Sequence, residues 1–176
     1  MDTDKQFAKD LERGKVGEKI ALEYFKKKLN NPLLTVPNSY HPEGDVFNPH
    51  SERWISEVKS DYKSYFTPNI TVEYMSRNKK GVYKNSSIST TISEYWTHIY
   101  YDNDYPHLSE GIRKGGAWIL LNLKVEMMRD LCKVKQWKRI KDAGAFKNAK
   151  VILIPKREII ENLNHLKGDY DIKIVR

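Results

Sequence analysis

The sequence predicts a mixed α/β domain, a β-sheet with helices packed on its faces. Three observations carry that expectation. Residues 4–29 and 156–166 read as helices, while short apolar or β-branched runs at 54–62, 69–75, 117–123 and 151–154 read as strands. The two kinds of segment alternate along the chain, as layered α/β domains require. Finally, a length of 176 residues suits one domain, residues 1–176, with a small insertion.

Each element has its own signal. Between residues 4 and 29, Phe7, Leu11, Ile20, Leu22, Phe25 and Leu29 are apolar among charges. Gly14 and Gly17 weaken the middle of that stretch, so it also reads as two helices meeting there. Asn30-Asn31-Pro32 stops it. Residues 33–36 are short and apolar enough for a strand. The next stretch, NSYHPEGDVFNP at 38–49, is rich in turn formers around an extended piece at 45–47.

In WISEVKSDY, residues 54–62, Trp54, Ser56 and Val58 alternate with Ile55, Glu57 and Lys59, which predicts a strand. NITVEYM at 69–75 is another, because β-branched residues dominate it. Thr91-Ile92-Ser93-Glu94 matches a capping box, and Ile92, Tyr95, Trp96 and Ile99 share one helical face, so residues 91–101 are expected as a helix. A buried strand at 117–123, a short helix at 125–133, a strand at 151–154 and a helix at 156–166 follow. Residues 133–150 lack a clear period and read as a basic loop or short ordered insertion. No repeat of about 20–50 residues is visible.

Composition narrows the function classes. Lys and Arg total 31 against 23 Asp and Glu, a net charge of +8, which points to a polyanionic partner. No apolar run approaches the roughly 20 residues of a membrane helix, and the opening MDTDKQFAKDLERGK lacks the apolar core of a signal peptide. Cys132 is the only cysteine, which excludes an intrachain disulfide and a multi-cysteine zinc site. A reducing, cytoplasmic setting is the expectation.

The strongest chemical feature is Asp45 followed by Glu57-Val58-Lys59. On a strand, Glu57 and Lys59 emerge on one face while Val58 points the other way. Two carboxylates beside an ammonium suit a hard divalent cation. Mg²⁺ in particular keeps several waters and takes one or two protein carboxylates. The neighbouring lysine can orient or deprotonate a metal-bound water, or neutralise charge on a pentavalent phosphate. These are the parts of a phosphodiester hydrolase.

Asp45, an eleven-residue hairpin and then Glu57-Val58-Lys59 resemble the PD-(D/E)XK nuclease superfamily. Pro42 lies three residues before Asp45, and Gly44 occupies the place directly before it. Gly17-Glu18 resembles the helical glutamate of Holliday junction resolvases and phage-type exonucleases. The ISTTISEYWTHIY and AGAFKNAKVILIP stretches look like phage-encoded members. The resemblance implies a restriction-endonuclease-like mixed sheet flanked by helices, and cleavage of DNA with Mg²⁺, or Mn²⁺ in its place. It further implies host cytoplasm if the chain is phage-encoded. Asp45, Glu57 and the Val58 carbonyl would hold the metal, and Lys59 would position the attacking water. Glu18 would reach a second metal or its water shell. Glu73 reads equally as a further acid or as a solvated strand residue, and Asp61 as a partner of Lys59 or of solvent.

A structure-selective endonuclease resembling a junction resolvase is the first expectation. The alternatives are a phage-type exonuclease, a nicking or restriction-like endonuclease, or an inactive DNA-binding module. Resolvases cut two strands, so a homodimer is a possible state.

The basic residues cluster. Arg77, Lys79, Lys80 and Lys84 give residues 77–84 a charge of +4, and Lys133, Lys135, Lys138, Arg139, Lys141, Lys147 and Lys150 against Asp142 give residues 133–150 a charge of +6. Such stretches bind phosphates, and Tyr83 and Trp137 within them could stack on bases. The remaining candidates carry less. His41 and His50 read as loop surface residues, His98 as structural or exposed on its helix, and Cys132 as a packed thiol. Gly115-Gly116 lacks the rest of a phosphate-binding loop.

Overall fold

A computed structural model of the chain describes residues 3–39, 41–78, 80–102, 117–133, 137–143, 149–166 and 169–175. Helix α1 (Thr3–Lys28) leads into strands β1 (Val46–Asn48) and β2 (Arg53–Asp61), and a 3-10 turn, Tyr62–Phe66, connects β2 to β3 (Asn69–Arg77). Strands β4 (Tyr83–Asn85), β5 (Tyr95–Asp102) and β6 (Ala117–Lys124) follow, then helix α2 (Val125–Leu131). Strands β7 (Arg139–Ala143) and β8 (Ala149–Pro155), helix α3 (Lys156–Leu166) and strand β9 (Tyr170–Val175) complete the described chain.

The strands form two sheets. The first has the order β1-β2-β5-β6-β9 and is mixed, since β2 and β5 run parallel while every other pair is antiparallel. The second, β4-β3-β8-β7, is antiparallel throughout. One apolar core lies between the sheets and takes in α2 and α3, with Trp96, Tyr100, Ile119 and Leu121 meeting Ile70, Val72, Ile152, Ile154 and Ile159. The other lies between the mixed sheet and α1, where Ala21 and Phe25 meet Val46, Ile55, Val58, Ile99 and Leu120. The expectation of an α/β domain with a mixed sheet and flanking helices is met, and a second, antiparallel sheet is added to it. Among the described residues, no helix is long and apolar enough to cross a membrane.

Helix α1 does not break at its glycines, and the reason fixes the site described below. A Cβ on Gly17 would sit 1.8 Å from Ser60 Oγ, so only glycine lets the helix lie directly on β2; at Gly14 the same atom would meet nothing within 4 Å. The helix ends where Asn30 enters the left-handed region at φ 48. Asn31 N–H then donates to Lys26 O at 3.0 Å and Asn30 N–H to Lys27 O at 3.4 Å, the pairing of a Schellman cap. The two glycines make a matched test. Gly17→Ala should destabilise the fold by about 1–3 kcal/mol through overpacking, whereas Gly14→Ala should be neutral or stabilising by up to about 1 kcal/mol. Thermal unfolding of the two variants checks this, and equal melting temperatures would refute the close approach.

The helix expected over residues 91–101 is instead the central strand β5. Its supposed capping residues are engaged elsewhere: the Thr91 and Ser93 hydroxyls both donate to Glu43 O, and Glu94 pairs with Lys124. YWTHIYY is aromatic and β-branched, composition that favours a pleated surface. Trp96, His98 and Tyr100 face one side and Thr97 and Ile99 the other, all of them buried. With both faces covered, no alternation of apolar and polar residues remains to be read.

Residues 33–36 contribute only a bridge from Thr35 to Phe47 rather than a strand. The stretch read as a basic insertion carries β7 and the start of β8.

Candidate active site

Strand β2 is paired on both sides only over its first half. β1 reaches no further than Val46 opposite Ser56, so from Glu57 onward the outer edge of β2 has no neighbouring strand among the described residues. Asp45 caps that edge. Its N–H donates to Ser56 O at 2.8 Å, and its Oδ2 accepts from Val58 N–H at 2.7 Å. Because the N–H and C=O of one strand residue point to the same side, the Val58 carbonyl faces that same edge.

Glu57 and Lys59 lie in register with Trp96 and His98 and share their face. The Lys59 ammonium stands 2.5 Å from Glu57 Oε1, with the glutamate side chain 8% exposed and the lysine 38%. Lys59 Nζ also lies 5.9 Å from the centroid of the buried Trp96 ring. Glu18 on α1 lies within electrostatic range of Lys59 and Glu57, and Gly17 beside it brings the helix onto Ser60.

The electrostatics bind these four groups into one site. Burial raises the pKa of Asp45, partly offset by Lys59 and the Val58 N–H, while Glu18 pushes it further up. Burial likewise raises Glu57 against the pull of Lys59, with Asp45 adding to the rise. Glu18 is raised by burial too, pulled back by Lys15 and Lys59 and pushed up by Glu57. For Lys59, lost hydration would lower its pKa, but Glu57, Asp45 and more weakly Glu73 outweigh that loss and hold it above its ordinary value. Asp45 and Glu57 thus feel one ammonium, Lys59, which Glu18 feels together with Lys15, and three carboxylates remain raised by burial.

Among the described residues, no three His, Cys, Asp or Glu side chains are gathered closely enough to hold a metal ion by themselves. Asp45, Glu57 and the Val58 carbonyl nevertheless match the demand of Mg²⁺ for oxygen donors with few protein carboxylates. The excess of buried negative charge is what such an ion would neutralise. The residues present fit the ion.

Glu73 also belongs to this neighbourhood. Its Oε1 accepts from Ser86 Oγ at 2.6 Å, and its charge is one of those felt by Lys59. Asp61 contacts neither Lys59 nor open solvent. Its Oδ2 accepts from Thr71 N–H at 2.7 Å and its Oδ1 from Ser64 N–H at 3.1 Å, and buried His98 Nε2 lies 3.8 Å away. Although burial would raise it, these partners, His98 first, hold the Asp61 carboxyl below the usual range. Asp61 therefore joins β2 to β3 rather than binding a ligand.

The basic residues divide. Strands β3 and β4 carry Arg77 and Lys84, with Lys80 in the turn between them, at one edge of the second sheet. The Arg77 guanidinium and the Lys150 ammonium both lie against the Tyr83 ring, 4.7 and 4.3 Å from its centroid. Strand pairing thus brings Lys150 to the first basic stretch. Lys138 and Arg139 sit at the opposite edge, where Arg139 donates to Cys132 O at 2.9 Å. Lys79 and Lys147 lie outside the described residues, as does the side chain of Lys141.

The two aromatic rings expected to stack on bases are occupied. Trp137 is 4% exposed and donates to Glu158 at 3.2 Å, and Tyr83 is flanked by its two cations. His41 packs on Trp54 and bonds Ser39, and His50 is exposed, so neither joins the site. Burial pushes the Cys132 thiol up to about 12, which leaves it inert.

Residue spacing did not reveal the buried polar chain behind β2. Ser56 Oγ and Thr97 Oγ1 are 2.8 Å apart, Thr97 Oγ1 donates to Asn122 Oδ1 at 3.0 Å, and Asn122 Nδ2 reaches the Tyr24 hydroxyl, which bonds Asp171. A groove of about 490 Å³ between α1 and β9, lined by Lys19, Tyr24, Lys27, Leu120 and Lys173 among others, contains none of the site residues. Comparison with protein-family models, with curated proteins and with solved structures finds no match to this chain.

Proposed function

We propose that the chain is a metal-dependent deoxyribonuclease of the PD-(D/E)XK kind, with a structure-selective endonuclease as the leading form. The observation that supports this reading is Asp45 at the open edge of β2 beside the Glu57–Lys59 pair, with Glu18 within electrostatic range and all three carboxyls raised by burial. A structural ion pair on an exposed strand would need neither Asp45 nor Glu18.

In this reading Asp45, Glu57 and the Val58 carbonyl hold Mg²⁺, and Glu18 adds negative field at its side. When bound, the ion supplies Lewis acidity and lowers the pKa of water. Lys59 remains protonated, because its carboxylate neighbours hold its pKa up. It therefore acts as a hydrogen-bond donor that positions water and as a charge that meets the phosphate, rather than as a general base. Hydrolysis adds water across one P–O bond: the water oxygen joins phosphorus, and the released oxygen leaves with a proton. Arg77, Lys80 and Lys84, at the edge of the second sheet that also carries Glu73, would bind flanking phosphates. Paired incision by a resolvase would add a second copy of the chain as partner.

The test is incubation with Mg²⁺ or Mn²⁺ and labelled linear, single-stranded, nicked and four-way DNA, beside Asp45→Asn and Glu57→Gln. Cleavage lost in both variants, with a preference for the four-way substrate, is the expected result. Degradation from ends would instead assign an exonuclease. Absence of metal-supported cleavage would leave only DNA binding.

A further inference from the structure

Where β2 and β5 end and β6 begins, five aromatic rings form a continuous ladder. Phe66 meets Tyr65 at 4.9 Å between centroids, Tyr65 meets Tyr101 at 4.7 Å, Tyr101 meets Trp118 at 5.4 Å, and Trp118 meets Tyr62 at 4.9 Å. The Arg13 guanidinium lies 5.1 Å from the Tyr62 centroid and continues the series. At the outer end Phe66 is 83% and Tyr65 48% exposed. A phenylalanine ring left almost wholly in water forfeits the transfer free energy that burial would return. Lys63, in the same turn, is exposed as well.

The turn is held more firmly than an incidental loop. Asp61 caps it through Ser64 N–H, and the Ser64 hydroxyl accepts from Tyr101 N–H at 2.7 Å. Lys156, itself 7% exposed, donates to both Ser64 O at 2.9 Å and Tyr101 O at 2.7 Å. A buried lysine thus ties the backbone of the aromatic turn to β5, so the turn that carries the exposed rings is already ordered.

We propose that this ladder is a stacking platform for unpaired bases of single-stranded nucleic acid, with Lys63 and Arg13 meeting its phosphates. Aromatic faces bind bases without regard to sequence because every base has a π-face. Lys63 in the exposed turn and Arg13 against Tyr62 place a cation near each end of the ladder, which favours a polyanionic ligand there. Tyr62 opens the turn directly after β2, three residues beyond Lys59, so a nucleic-acid strand seated on the rings would lie beside the candidate active site. Base stacking itself needs no metal and does not depend on the nuclease reading; joined to that reading, it selects DNA with an unpaired segment.

The test is fluorescence anisotropy of labelled oligo(dT) with the full chain in EDTA. Phe66→Ala and Tyr65→Ala should each weaken binding by roughly 5- to 150-fold, Phe66→Trp should restore it, and binding to duplex of equal length should stay within about twofold. Binding of oligo(dT) by both alanine variants within about twofold of the wild type overturns the proposal. So does failure of the wild type to bind oligo(dT). Circular dichroism verifies that each variant is folded. Wild-type protein that binds oligo(dT) in EDTA yet shows no cleavage with Mg²⁺ or Mn²⁺ would count against the nuclease reading alone.

Discussion

Lys59→Met is expected to slow metal-supported cleavage by about 10²- to 10⁴-fold, the range for loss of a positioned proton donor or charge stabiliser. Lys59 is the one cation that stands against Glu57 at 2.5 Å while also holding down the pKa of Asp45 and Glu18. Methionine keeps the length of the side chain but removes its charge. The three carboxyls then face one another in a partly dehydrated site, and their pKa values climb further. The variant should therefore lose activity in two ways: the phosphate meets no ammonium, and the carboxyls hold protons at a pH where the wild type has released them. The second effect has its own signature, an acid limb of the pH–rate profile displaced to higher pH. Lys59→Arg keeps the charge on a broader, planar fork and should recover only part of the rate. DNA binding in EDTA should change little, since Arg77 and Lys84 are untouched. A variant that cleaves at the wild-type rate would remove Lys59 from the chemistry.

Much of this site could be read from residue spacing because a strand has a period of two. That period alone places Glu57 and Lys59 on one face and Val58 on the other, and the observed register with Trp96 and His98 agrees. Asp45 was legible as an acid near a turn, but its bond to Val58 N–H spans 13 positions and depends on where β1 stops. The role of Gly17 was misread for a related reason. Helix propensity treats glycine as a weak point, whereas at Gly17 an added Cβ would fall 1.8 Å from Ser60 Oγ, so the bare backbone is itself the contact surface. Tertiary packing overrode propensity there.

β5 shows the opposite failure. Its residues satisfy a helical stripe by coincidence, and burial of both faces erased the alternation that would have identified a strand. The second sheet was hidden because β7 is five residues long and β8 was legible only in its centre. The aromatic ladder joins Tyr62, Tyr101 and Trp118, neighbours only after β2, β5 and β6 align. Local pattern finds elements; contacts between distant elements need the fold.

Without divalent metal, thermal stability should increase as pH falls from about 8 toward 5, and Mg²⁺ or Mn²⁺ should raise the melting temperature most at the upper end. The sign follows from proton linkage. Asp45, Glu57 and Glu18 have folded pKa values above their unfolded ones, so between the two the native state binds more protons than the unfolded chain. Stability is lost as pH rises through that window, and the penalty is complete once these groups are ionised. Asp61 and Asp171 act in reverse. Their folded values are lowered, so their contribution is present above the unfolded carboxyl value and disappears as pH falls through the folded one. A cation bound by the ionised carboxylates stabilises the native state by mass action, about 2.7 kcal/mol at a hundred times its dissociation constant. For a chain of 176 residues that amounts to roughly 5–11 °C. Asp45→Asn separates the causes, because the amide oxygen can still accept the Val58 N–H. In EDTA at neutral pH it should stabilise the protein by on the order of 0.5–2 kcal/mol, flatten the pH dependence and reduce the response to metal. A melting temperature that rises with pH from 5 to 8 in EDTA, or that Mg²⁺ and Mn²⁺ leave unchanged, would mean that these carboxyls are not waiting for a cation.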